Sequence, residues 1–134
     1  MQIRRLTMPE REMSVWLNED YHAYNKIKAL ESLQDTNIEL IKTFGDQNDE
    51  LLMQTNKQVE MIADLKDFII ERRKKKEMMF DKLSDELQEV MIMHYLSYLT
   101  FEEISERLSY HVSSVKRKHI LALEILCKGS ESNG

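Results

Sequence analysis

A chain of 134 residues, 42% hydrophobic and 32% charged, has room for one modest domain, or for a small domain joined to an accessory element. With only 3 Gly and 1 Pro, and with Glu, Lys, Leu, Met and Ile dominant, the composition predicts an all-α protein of long elements and few connections. A net charge of −5 argues against a nonspecific nucleic-acid coat, the single Cys127 excludes an intrachain disulfide, and no apolar run reaches the roughly 18 residues a membrane span needs.

Residues 1–14 carry Arg4, Arg5 and Arg11 but no following apolar run, so they do not read as a signal peptide, and Pro9 interrupts any period. This stretch is expected to be a flexible arm on a cytoplasmic protein. From Val15 the pattern changes. Leu17, Tyr21, Tyr24, Ile27, Leu30 and Leu33 recur every three or four residues, and Ile38, Ile41 and Phe44 resume after a weaker stretch, Gln34 to Asn37. Gly45 to Asp49 is a turn signal, with Asn48 or Asp49 a candidate cap. Leu52, Thr55, Val59, Ile62, Leu65 or Lys66, and Ile69 then continue at heptad-like spacing. The expectation is a long helical hairpin or coiled coil over residues 15–80, serving to make a homodimer.

Five consecutive cations, Arg72 to Lys76, follow. They are either a solvated helical segment or a contact for phosphate or RNA polymerase, with Arg72, Arg73, Lys75 and Lys76 the candidates. Successive helical residues lie about 100° apart, so only two or three of the five can face one backbone.

Residues 81–128 read as a helix-turn-helix domain. Ser84 is placed to cap a helix over about Asp85 to Tyr98, with Leu87, Val90, Met91, Tyr95 and Leu96 inward. Thr100 followed three residues later by Glu103 is a capping box, opening a two-turn helix with Phe101, Ile104 and Leu108 buried. Ser109-Tyr110-His111 is a break of the right length, and the last helix starts near Val112. Lys116, Arg117 and Lys118 concentrate positive charge there, with no acid before Glu124, as suits a recognition helix entering a major groove of double-stranded DNA. The predicted DNA-binding set is Thr100, His111, Ser113, Ser114, Lys116, Arg117, Lys118 and His119. Arg117 suits a bidentate guanine contact, while Lys116 and Lys118 suit phosphates. Residues 129–134 read as a disordered tail.

Thr100 to Leu126, TFEEISERLSYHVSSVKRKHILALEIL, resembles region 4 of the sigma-70 family, the part that reads the −35 promoter element. The whole chain is similar to phage-encoded transcriptional regulators of the ArpU and RinA type. That resemblance implies a transcription regulator, an activator of phage or prophage genes in a bacterial host cell, with RNA polymerase as a possible partner. Ser109 stands where the family has a turn glycine, His111 where it has a capping serine, and Lys118 where it has an apolar residue. Val112, Ser113 and Arg117 replace the base-reading residues, so the family's sequence preference does not carry over. Nothing in the chain matches sigma region 2, so a complete sigma factor is not expected.

No glycine-rich phosphate loop, marked nucleophile or distinctive carboxylate pair supports catalysis, and no cofactor is implied. His111, His119 and Cys127 stand eight positions apart, which is not metal-ligand spacing. Two other readings stay open: a small terminase-like DNA-packaging protein, and a polymerase-binding module without DNA specificity of its own.

Overall fold

The computed structural model describes residues 2–45 and 49–132, which form five helices: α1 (Met8–Phe44), α2 (Asp49–Phe80), α3 (Asp85–Tyr95), α4 (Phe101–Leu108) and α5 (Val112–Ser132). The fold is all-α among the described residues, with two long helices followed by three shorter ones, the last two of which form a helix-turn-helix. Among the described residues, no helix is long and apolar enough to cross a membrane. The candidate cap Asn48 lies outside the described residues.

The chain divides into two compact units, one of residues 1–19 and 73–134, the other of residues 20–72. This differs from a boundary near residue 81, because the helix-turn-helix domain recruits the first turns of α1 and the last turns of α2. Leu17 of α1 and Phe80 of α2 join Leu87, Met91 and Tyr95 of α3 and Ala122, Leu123 and Leu126 of α5 in one buried cluster. A second cluster, Val90, Ile104 and Val115, is closed by Leu99, Phe101, Leu108 and Tyr110 and holds α4 against α3 and α5. Core residues come from every element, so the domain is stabilised mainly by apolar burial.

Helix α1 starts at Met8, seven residues before the expected start at Val15. The cause is a second capping box. Thr7 N–H donates to Glu10 Oε1 at 2.8 Å, and Glu10 N–H donates to Thr7 Oγ1 at 3.4 Å. Pro9 falls in the first turn, where its missing N–H would have had no helical acceptor, so it helps to open the helix that it was expected to interrupt. Residues 2–7 are not loose either: Leu6 packs on the main core and Arg4 is clamped to Glu10. At the other end, α5 runs through residues 129–132, where a disordered tail was expected.

In the unit of residues 20–72, Ala23, Ile27 and Ile62 are buried. The expected stripe drifts, and the inward line passes instead through half-buried Gln34 and Gln58 and buried Asn37. Asn37 Nδ2 donates to Gln58 Oε1 at 3.2 Å, joining α1 to α2, while Val59 is 54% exposed. A polar pair with one buried member at a seam position favours one register, because a slip leaves the buried Asn37 amide without its partner.

Helix α3 ends at Tyr95, three residues short of the expected Tyr98. Tyr98 takes a left-handed backbone, with φ 59°. Ser84 occupies the N-cap position in extended backbone, but its side chain makes no capping hydrogen bond.

Candidate nucleic-acid interface

The short helix α4 begins as expected. Glu103 N–H donates to the Thr100 hydroxyl oxygen at 3.2 Å, and Thr100 N–H donates to Glu103 Oε1 at 3.1 Å. These bonds to the Thr100 backbone and side chain hold the Glu103 carboxyl below the usual carboxylate range. The box occupies two of the donors at this helix start, so an incoming phosphate would meet the N–H groups of Phe101 and Glu102 and the Thr100 hydroxyl proton.

Ser109 closes α4 in the left-handed conformation, φ 56° and ψ 38°. A side chain there costs about 1 kcal/mol relative to the right-handed region. Neighbouring bonds hold the turn in place: Ser105 Oγ donates to the Tyr110 carbonyl at 2.6 Å, and Tyr110 N–H donates to the Ser105 carbonyl at 3.1 Å. Helix α5 then starts at Val112, with Val115 N–H donating to the His111 carbonyl at 3.1 Å and His111 exposed.

Helical geometry sorts the α5 candidates. At about 100° per residue, Ser113 and Arg117 lie on the side opposite Val115, Ala122 and Leu126, with Ser114 and Lys116 on the two flanks and Lys118 nearer the buried side. Burial agrees: Arg117 is exposed and Ser113, Ser114 and Lys116 are half-buried, while Val115, Ala122 and Leu126 are buried. Lys118 is turned toward its own domain, with its ammonium 3.7 Å from the Tyr110 ring centre and 3.6 Å from Glu86 of α3. It neutralises an acid and covers an aromatic ring, so it is a weaker phosphate candidate than its position in the sequence implied.

His119 does not belong to this surface. It is 7% exposed, its Nε2 lies 2.6 Å from the Tyr95 hydroxyl, and its ring packs on His94 and Phe101. The Tyr95 hydroxyl also meets Ser14 Oγ at 2.9 Å, tying α1, α3 and α5 together. Burial, reinforced by the nearby His94, pushes the His119 pKa down to about 4. A neutral imidazole in a core satisfies a tyrosine and offers nothing to a phosphate.

The basic run is also divided. Lys76 is completely buried, and its Nζ donates to the Leu17 carbonyl at 3.2 Å and to the Tyr95 carbonyl. Arg73 Nη1 donates to the Leu96 carbonyl at 2.7 Å and to the Tyr98 hydroxyl at 3.3 Å. Both cations therefore cap the C-terminal end of α3, where free carbonyls and the negative end of the helix dipole favour positive charge. That role removes Lys76 from any phosphate surface and holds Arg73 to its own fold. Arg72 stacks over Phe68 at 4.8 Å, leaving Lys74 and Lys75 as the exposed members. The 100° step already required some of the five to point inward, but nothing in the sequence says which.

Missing from the sequence-based set is Arg4. Its guanidinium grips the Glu10 carboxylate through both nitrogens, at 2.7 and 2.8 Å, and reaches Glu124 of α5 at 3.5 Å. The Arg4 bonds, aided by Thr7, pull the Glu10 pKa down to about 2. The Thr7-x-x-Glu10 spacing, the same signal that marks Thr100, was available to find it. Among the described residues, no group of three His, Cys, Asp or Glu side chains is arranged to hold a metal ion.

A helix-turn-helix with an apolar core, a two-turn first helix and a cationic start to the second defines the class of the C-terminal domain. Residues 77–126, well under half of the chain, match the family model described as "Sigma-70, region 4". Comparison with curated proteins and with solved structures gave no match. A region 4-like helix-turn-helix points to a DNA-binding regulatory role.

Proposed function

We propose that this protein is a sequence-reading transcription regulator whose α5 enters the major groove of double-stranded DNA. Arg117 contacts a guanine, Ser113 and Ser114 face base edges, and Lys116 meets a phosphate. The start of α4 at Thr100 lies on the backbone. The observation that carries this reading is the exposed Arg117, with half-buried Ser113 and Ser114 near it on α5, within a segment that matches sigma-70 region 4, with no acid on α5 before Glu124.

The molecule acts as a homodimer through its helical hairpin. Support comes from the apolar residues that unit 20–72 leaves exposed, among them Leu33 at 44%, Ile38 at 45% and Val59 at 54%. Two copies place two recognition helices on two half-sites. By the likeness to phage regulators of the ArpU and RinA type, the protein activates phage or prophage genes in a bacterial cytoplasm, with host RNA polymerase as its second partner.

The test is selection of bound fragments from random and phage-genomic DNA at several salt concentrations, alongside Lys116→Ala/Arg117→Ala. One enriched motif upstream of genes, with binding lost in the variant, is the expected result. Enrichment without position relative to genes and a ring-like stoichiometry would favour DNA packaging. Binding retained by the variant would move the function to a protein partner.

A further inference from the structure

The segment before α1 lies along the recognition helix. Gln2, Ile3 and Arg4 line a shallow groove with Arg117, Ile120 and Leu121 of α5, so the arm borders the side of α5 that carries Arg117. It is held there by a charged contact at an almost fully buried acid: Glu10 is 3% exposed, and Arg4 grips it bidentately. The clamp is electrically closed, because Glu124 also takes Lys128 at 2.8 Å, giving two cations to two carboxylates. Arg4 therefore contributes geometry and no net field.

Arg5 is different. Arg4 and Leu6 on either side of it engage the domain, through the Glu10 clamp and the main core, while Arg5 is exposed in a non-helical segment. The Arg4 guanidinium also donates to the Arg5 carbonyl at 3.1 Å, fixing the backbone from which Arg5 projects. An arginine on a pinned arm beside the reading helix is a second cationic point of contact, displaced from Arg117 and Lys116. We infer that Arg5 contacts the phosphate backbone of duplex DNA beside the groove read by α5, with Arg4 and Glu10 as the residues that position it. This rests on the DNA-reading function proposed above.

Preorganisation is what makes the contact effective. A free arm would lose conformational entropy at each residue on binding, whereas this one is already ordered on its own domain. One phosphate contact adds about 0.9 to the slope of log K against log salt.

The experiment uses the full chain and the duplex selected as above, comparing wild type, Arg5→Ala, Arg4→Ala and Lys116→Ala/Arg117→Ala. Arg5→Ala is expected to lower the salt slope by about 1, so that between roughly 50 and 200 mM salt wild type loses about threefold more affinity than the variant. Hydroxyl-radical protection should contract at one edge of the site and stay intact at its centre. Arg4→Ala should reproduce that contraction with Arg5 still present, and helical circular dichroism should stay unchanged in Arg5→Ala. An unchanged slope and footprint in Arg5→Ala, with binding lost in the double variant, overturns the arm contact alone. Failure of wild type to prefer any duplex overturns the DNA reading and this inference together. Unchanged DNA binding by Arg5→Ala with weaker capture of RNA polymerase would make the arm a protein contact and also overturn it.

Discussion

Acid should destabilise this protein over a pH window that belongs to His119. The ring is 7% exposed, 5.4 Å from His94 and 4.9 Å from Phe101, with its Nε2 2.6 Å from the Tyr95 hydroxyl. Burial first, and His94 second, lower its pKa from 6.5 to about 4 in the folded protein. An unfolded chain restores a value of about 6.5, so between those two values it binds a proton that the folded chain refuses. Stability is therefore complete above about pH 6.5, falls as pH drops toward 4, and loses nothing more to this group below that. About 2.5 pH units at about 1.4 kcal/mol each give a loss of about 3.5 kcal/mol, a large share of a typical domain's roughly 5–15. His94, also depressed chiefly by burial, acts in the same direction. The carboxylate of Glu10 titrates elsewhere: its folded pKa is lowered from 4.5 to about 2, so its contribution is lost only below about pH 4.5. Urea unfolding followed by circular dichroism between about pH 7.5 and 5 separates the two. Wild type should lose about 2 kcal/mol over that range, and His119→Gln, which keeps a polar atom near Tyr95 but cannot titrate, should retain only the His94 share. A flat wild-type profile, or an equally steep one in the variant, would refute the reasoning.

Lys76→Met should destabilise by about 3 kcal/mol or more in urea, because the buried Leu17 and Tyr95 carbonyls lose a charged donor; a change under about 1 would mean that water replaces it. Ser109→Gly should raise stability by about 0.5–1 kcal/mol, since φ is 56° and its capping bond uses the backbone N–H; a fall would show that the serine side chain contributes to the turn. Replacing both Asn37 and Gln58 by Leu should raise the melting temperature and broaden the distribution of oligomeric states seen by light scattering, whereas Asn37→Leu alone should lower it. Limited proteolysis should cleave near Arg5 faster in Glu10→Gln than in wild type, as the clamp and the cap weaken together; equal rates would mean that Leu6 alone holds the arm.

Which elements could be read from the sequence follows from how local their causes are. Thr100 and Glu103 make a helix start with bonds that span three residues, so spacing alone reveals it. The Thr7 and Glu10 box is equally local and was obscured by Pro9, whose residue type suggests a break although its first-turn position favours a helix. His119 resisted reading because a polar side chain was assigned to the polar face, while its partner Tyr95 is 24 residues away and the Tyr95 hydroxyl is shared with Ser14, a further 81 residues up the chain. Lys76 and Arg73 resisted for the same reason: their acceptors are carbonyls on other helices, and backbone groups leave no mark in a sequence. The seam of the hairpin was misplaced wherever its occupants were amides, since a search for apolar periodicity passes over Asn37 and Gln58.

The helix-turn-helix unit is discontinuous along the chain: its first piece ends at Glu19 and its second begins at Arg73, with residues 20–72 inserted between them. A fragment confined to the matched residues 77–126 would lack Leu17, Ser14, Lys76 and Arg73, and with them part of its core and the cap of α3. The insertion is made of the later part of α1 and the earlier part of α2, so its length can change in steps of two helical turns. Deleting seven residues from each helix, about 10 Å of rise, would preserve the seam phase and leave every contact of the reading unit intact. Evolution, or an engineer, can therefore change the reach of the hairpin without rewriting the domain that carries Arg117.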